Sequence, residues 1–213
     1  MRSRLLQSVT AGLLILASLV TLRADVIERI LAVVSGALVL QSDAEAAIKL
    51  GLVTVPPGAD RLQAALDQLI ERQLMLIEVD RYGPPEPPLA EVDALVREID
   101  QRIGSGEQMN VILRESGMTV DQLRLRVRDD LRIRSYLLQR FGNQPAPPED
   151  EIVEYYRTHE REFTRDGVVR PFSEAGIQAR DALIAERRSQ LIREWLAGLR
   201  RRTEINVLYL PGR

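Results

Sequence analysis

The sequence predicts a mostly α-helical fold carrying a small antiparallel sheet made by the two ends of the mature chain. Three observations predict it. Apolar residues recur at helical spacing through most of the chain, two aliphatic runs flank a tight-turn dipeptide near the start, and a short alternating run closes the chain.

Taken in order, residues 1–24 read as a signal peptide. Arg2 and Arg4 precede an apolar run from Leu5 to Leu22, and Ala24 is a small residue suited to cleavage. Retained, the same run would serve as a membrane anchor. Val26 to Leu40 forms a hairpin around Ser35-Gly36, because Gly accepts the positive φ that two-residue hairpin turns require. Ser42 and Glu45 have capping-box spacing, so a short helix follows directly and ends near Gly51. A lone hairpin is marginal in water, so a third strand is required.

Asp60 caps the clearest apolar-periodic stretch, to Tyr82, with Leu62, Leu66, Leu69, Ile70, Met75, Leu76 and Ile77 on a broad stripe that predicts a central position. The stiff connector Gly83 to Pro88 leads to a helix over Leu89–Ile103. Gly104-Ser105-Gly106 ends it, a short helix spans Glu107 to Ser116, and Thr119 opens a long helix to Phe141. A second proline linker, Asn143 to Pro148, precedes a helix with Ile152, Tyr155 and Tyr156. Thr164 to Gly176 reads as a loop. A last helix covers Ile177–Arg202 with Ile177, Ile184, Leu191 and Trp195 on its seam, and Thr203–Leu210 alternates as a strand expected to pair with the opening hairpin.

Composition narrows the function classes. The chain has 213 residues and no cysteine, which removes disulfides, thiolate metal sites and thiol nucleophiles. Without Arg2, Arg4 and Arg23 its formal charge passes from −2 to about −5, with no global attraction to nucleic acid. The sole histidine, His159, lacks the second histidine of a zinc-hydrolase helix, so it is read as structural or solvated, and no metal or cofactor is expected. Arg124, Arg126, Arg128, Arg132 and Arg134 interleave with Asp121, Asp129 and Asp130, the pattern of a salt-bridged solvent face. Met109, Leu113 and Met118 lie around a glycine-bounded short helix. They are either core or, where exposed, an adaptable apolar surface for clients.

The order of these elements resembles the N-terminal chaperone region of the SurA-type periplasmic chaperone family. The residues that carry the likeness are the hairpin followed by Ser42-Asp43, Leu69-Ile70-Glu71-Arg72-Gln73-Leu74, Met118-Thr119-Val120-Asp121-Gln122-Leu123, Glu151 to Tyr156 with His159 and Phe163, and Trp195 to Arg200. The resemblance implies a helical chaperone domain over residues 25–142 that is completed by the helix and strand of 177–213. Residues 143–176 stand where the family carries a parvulin-type isomerase domain of about a hundred residues, and that domain does not fit here. The implied function is a periplasmic, ATP-independent holdase for unfolded envelope or outer-membrane proteins, without catalytic residues, small-molecule substrate or cofactor. A relative of the prolyl isomerases and a structural adaptor for one secreted partner are the alternatives.

Overall fold

The computed structural model describes residues 28–209. The expected signal peptide and Leu210 of the last strand lie outside that range.

Strands β1 (Ile30–Val34) and β2 (Ala37–Leu40) form the opening hairpin. Its two turn residues, Ser35 and Gly36, have φ of 48° and 85°, the paired positive values of a type I′ turn. The missing third strand comes from the far end of the chain. Ile205–Val207, called β5 below, runs antiparallel to β1 with Ala32 opposite Val207 and Val34 opposite Ile205, which puts β1 in the centre of the order β2-β1-β5. The register between β1 and β2 slips between Ile30 and Ala32. At that bulge the Leu31 carbonyl accepts the N–H groups of Leu208 at 2.8 Å and Tyr209 at 3.0 Å. Along this segment Ile205 is partly buried and Val207 is exposed, while Tyr209 beyond the strand is buried.

Helix α1 (Gln41–Lys49) starts one residue before the expected Ser42 cap. The reason is local. The Asp43 carboxylate takes the Leu40 N–H at 3.2 Å, while the Ser42 N–H goes to Glu28 and Glu45 bonds Gln41. Helix α2 (Arg61–Tyr82) is central, as its stripe predicted. Asp60 accepts the N–H groups of Leu62 at 2.9 Å and Gln63 at 3.0 Å. Leu66, Leu69, Ile70 and Leu74 pack beneath Leu31, Val34 and Val39 of the sheet and against Leu199 from the C-terminal helix. Each such Leu or Ile contributes roughly 1.5–3 kcal/mol on burial.

A second cluster joins α3 (Leu89–Ile103), α4 (Gly106–Glu115) and α5 (Val120–Phe141) through Val92, Val96, Ile99, Leu123, Val127 and Leu131. The capping box predicted at Thr119 is present, with Gln122 Oε1 accepting the Thr119 N–H at 2.7 Å and Thr119 Oγ1 accepting the Gln122 N–H at 3.1 Å.

A third group of apolar residues is separate from these. Helix α6 (Glu149–Thr158) and a 3₁₀ turn over Glu160–Phe163 pack on the first half of α7 (Phe172–Arg202), and an exposed two-stranded hairpin, β3 (Thr164–Arg165) and β4 (Val168–Val169), connects that turn to α7. Two sequence expectations change here. The segment read as a loop holds a hairpin turned by Asp166 and Gly167, with φ of 52° and 78°, and the helix begins at Phe172 rather than Ile177. Ile177 is exposed, and Ala175 and Ala179 line the buried face instead. With 31 residues α7 is about 46 Å long, so one helix serves both the small lobe and the main core.

Its second half is held by aromatic contacts. The Trp195 ring lies 5.8 Å from Tyr136 and 5.6 Å from Phe141, between α7 and α5, and clamps the two helices together. It is half-buried, and its Nε1 is enclosed without a hydrogen-bond partner among the described residues. At the end of α7, Arg202 reaches the buried carboxylate of Glu78 on α2 at 3.1 Å.

Beyond β5, the Tyr209 hydroxyl donates to Asp60 Oδ2 at 3.1 Å, so the C-terminal tail touches the cap of α2. The Gln63 N–H, burial acting in opposition, and the Tyr209 and Leu62 donors leave the Asp60 carboxyl below its usual value.

Three outcomes are expected. Truncation after Arg202 should uncover the free edge of β1, lower the urea midpoint and produce concentration-dependent aggregation by light scattering; an unchanged midpoint would contradict the closure of the sheet. Trp195→Ala should destabilise by about 2–3 kcal/mol, less than the ~3–5 kcal/mol typical of a fully buried aromatic, while Trp195→Phe should cost far less because it removes an unpartnered N–H. Because the folded-state pKa of Asp60 is depressed, its contribution is present above about pH 4 and lost as pH falls through the lowered value. The stability gap between wild type and Asp60→Asn, measured by urea denaturation, should therefore be constant near neutrality and shrink towards pH 3.

Candidate functional site

The site is assembled from β2 and the start of α5. β2 is an edge strand. Gln41 donates inward to Arg29 O, so the alternate residues Leu38 and Leu40 direct their backbone groups outward. Asp43 already occupies the Leu40 N–H, which leaves Leu38 as the position able to exchange a pair of hydrogen bonds with an added strand. The Leu38 side chain is 53% exposed.

The facing wall depends on how α4 ends. Gly117 takes a φ of 65°, and the N–H groups of Met118 and Gly117 return to the carbonyls of Leu113 and Arg114 at 2.9 and 3.2 Å. This is a Schellman turn, and it reverses the chain so that Met118 sits at the mouth of α5. Gln122, Leu125, Arg126 and Asp129 then follow at the i, i+3, i+4, i+7 spacing of a single helical face. Between this face and β2 lies a groove of about 480 Å³. Leu38, Leu69, Met118 and Leu125 supply apolar surface, and Leu125 is 51% exposed.

The floor is charged. Arg72 Nε binds Asp130 at 2.6 Å, and Arg72 Nη2 donates to the Arg126 carbonyl at 3.2 Å. Asp129 accepts from Arg128 at 2.7 Å and stands 3.7 Å from both Arg72 and Arg132. Arg126 is different. Its Nε is buried without a hydrogen-bond partner among the described residues. Burial, followed by the neighbouring Arg72 cation, pulls its pKa below the ordinary arginine value, only partly offset by Asp130 and Asp43.

The three residues singled out from the sequence are placed unequally. Met109 and Leu113 are buried in the second cluster, whereas Met118 packs on that cluster and also lines the groove. The sequence reading did not single out Leu38 or Leu125, and it placed Arg126 within a solvated stripe. Arg124, Arg128 and Arg132 do pair with Asp93, Asp129 and Asp80. The signal for a second face was present in the 122/125/126/129 spacing, which runs beside the core positions Leu123, Val127 and Leu131.

His159 ends α6, with its ring stacked on Tyr155 at 4.0 Å and Nδ1 within 3.0 Å of the Tyr155 carbonyl. Among the described residues no group of three or more His, Cys, Asp or Glu side chains is arranged to hold a metal ion, and no helix is long and apolar enough to cross a membrane.

No family model matches the chain, and no curated protein matches it. Among solved structures it resembles a chain from work on the virulence factor PEB4 and the periplasmic protein Cj1289 of Campylobacter jejuni, described as two structurally related SurA-like chaperones. The superposition has a TM-score of 0.54 at 14% identity and covers 85% of this chain and 99% of that one, so what the two share is the SurA-like fold.

Proposed function

We propose that the protein is a periplasmic, ATP-independent holdase that shields unfolded envelope or outer-membrane proteins in transit. The observation that carries this reading is the groove of about 480 Å³ along a strand edge unpaired among the described residues, with an apolar wall that includes the adaptable side chain of Met118. An extended client would bond its backbone to Leu38 and rest its side chains on Met118 and Leu125. Neither interaction depends on client sequence, as a holdase requires. In this reading Met109 and Leu113 support Met118 from below, forming the packed base of the client site.

The SurA-like fold supports the reading, and export is its cellular premise, with residues 1–24 as the signal. The proposed division is a chaperone core of 25–142 completed by 177–213, with 143–176 in place of an isomerase domain. Only the short hairpin of β3 and β4 and its flanking turns stand between α6 and α7. The protein is accordingly read as a non-enzyme.

At equimolar ratio the purified protein should suppress light scattering by a denatured outer-membrane protein, without ATP, and a coupled proline-peptide assay should show no catalysis above background. Scattering unchanged at every ratio would overturn the holdase reading. Pull-down from envelope extract should return many substoichiometric clients, whereas one stoichiometric partner would make the protein an adaptor.

A further inference from the structure

We propose that the groove between β2 and α5 selects extended segments that carry a carboxylate side chain between two apolar ones, with Arg126 as the residue that reads the carboxylate. The inference rests on the proposed client site and adds to it a preference in charge.

Charge complementarity identifies the occupant. Every other charged group named on the groove is engaged. Asp43 accepts the Leu40 N–H, Glu28 accepts the Ser42 N–H, Arg72 is bound to Asp130, and Asp129 is shared by Arg128, Arg72 and Arg132. Arg126 has a buried Nε without an acceptor and makes no ion pair among the described residues. Asp130 and Asp43 offset the desolvation of this guanidinium only in part and from Coulombic range, and an incoming carboxylate would supply the direct contact that Nε lacks.

Strand geometry sets the pattern of the segment. In a strand added at Leu38, side chains on one face recur every second residue, about 6.6 Å apart. A carboxylate at the middle position facing Arg126 puts the residues two before and two after it over the apolar walls made by Leu69, Met118 and Leu125. A carboxylate at a chain terminus would leave one of those walls uncovered, so the acid belongs to an internal Asp or Glu.

The test uses dye-labelled peptides with blocked ends and the pattern Leu-Ser-Glu-Ser-Leu, compared by fluorescence anisotropy with central Gln and central Lys versions, and with the Gln version bearing a free C-terminal carboxylate. The Glu peptide should bind wild-type protein about tenfold more tightly than the Gln peptide, with the Lys peptide weakest. Arg126→Gln should abolish the difference. Because removing Arg126 could disturb folding, Gln122→Glu provides an independent arm. It keeps the acceptor for the Thr119 cap, places an anion one helical turn before Arg126, and should equalise the Glu and Gln peptides by satisfying the guanidinium internally.

Equal binding of Glu and Gln peptides to wild type would overturn the inference while leaving aggregation suppression, and hence the holdase reading, intact. Loss of suppression with the Glu preference retained would overturn the holdase reading alone. Tightest binding by the free-carboxylate peptide would overturn the internal-acid assignment. So would a dimer in sedimentation that dissociates as peptide is added, because a second copy would then be the occupant.

Discussion

The fold depends on the pairing of β5 with β1, which brings Val207 opposite Ala32 across almost the whole chain. A two-stranded hairpin does not sustain itself in water, and β1 would otherwise present its hydrogen-bonding edge to solvent. The third strand removes that edge and ties both ends of the described chain over α2. Once β5 is in register, α7 must lie along α2, which sets Leu199 into the first core cluster, Trp195 between α7 and α5, and Arg202 beside Glu78. The Tyr209 hydroxyl on Asp60 continues the same closure from strand to helix cap. This closure joins distant parts of the sequence, so its entropic cost must be met by burial on α2, the element on which both ends pack.

The charged network has a different role. Arg72 to Asp130, Arg132 to Asp80 and Arg124 to Asp93 connect α5 with α2 and α3. Partly exposed pairs of this kind contribute little to stability, typically about 0–1 kcal/mol each. Burial of Leu123, Val127 and Leu131 sets the rotation of α5, and the pairs bracket that orientation, with Leu125 and Arg126 left on the groove. One helix thereby supplies both a packed interior and an open wall.

The legibility of the chain in its sequence follows the range of the interactions. Features fixed by neighbours were readable, among them the Ser35-Gly36 turn, the Asp60 cap, the Thr119 capping box and the apolar stripe of α2. The pairing of the final strand with the hairpin was readable too, because an unfinished sheet demands a partner and one alternating segment remained. The cap of α1 was misplaced because Glu28, outside the local motif, takes the Ser42 N–H and Asp43 takes that of Leu40. The start of α7 and the β3–β4 hairpin were missed because they are stabilised by contacts distant in sequence, such as the Tyr156 hydroxyl on the Arg170 carbonyl. The groove was the least legible feature. Its apolar residues are ordinary in composition, and only the meeting of β2 with α5 makes them a surface.

That meeting also resolves a conflict between folding and binding. An exposed strand edge invites uncontrolled association, and folded proteins normally cover or interrupt it. β2 is interrupted rather than covered. Its last N–H is capped by Asp43 and its first residue abuts the turn, so the accessible edge contracts to Leu38, with α5 standing opposite as a wall. An edge this short holds a segment weakly through backbone alone, and side-chain contacts must provide the remainder of the affinity. A client strand could therefore remain only while its apolar residues are unburied elsewhere, and its own folding would withdraw them. The short edge that limits pairing between copies is, in the proposed holdase, also what would make the grip on a client reversible without ATP.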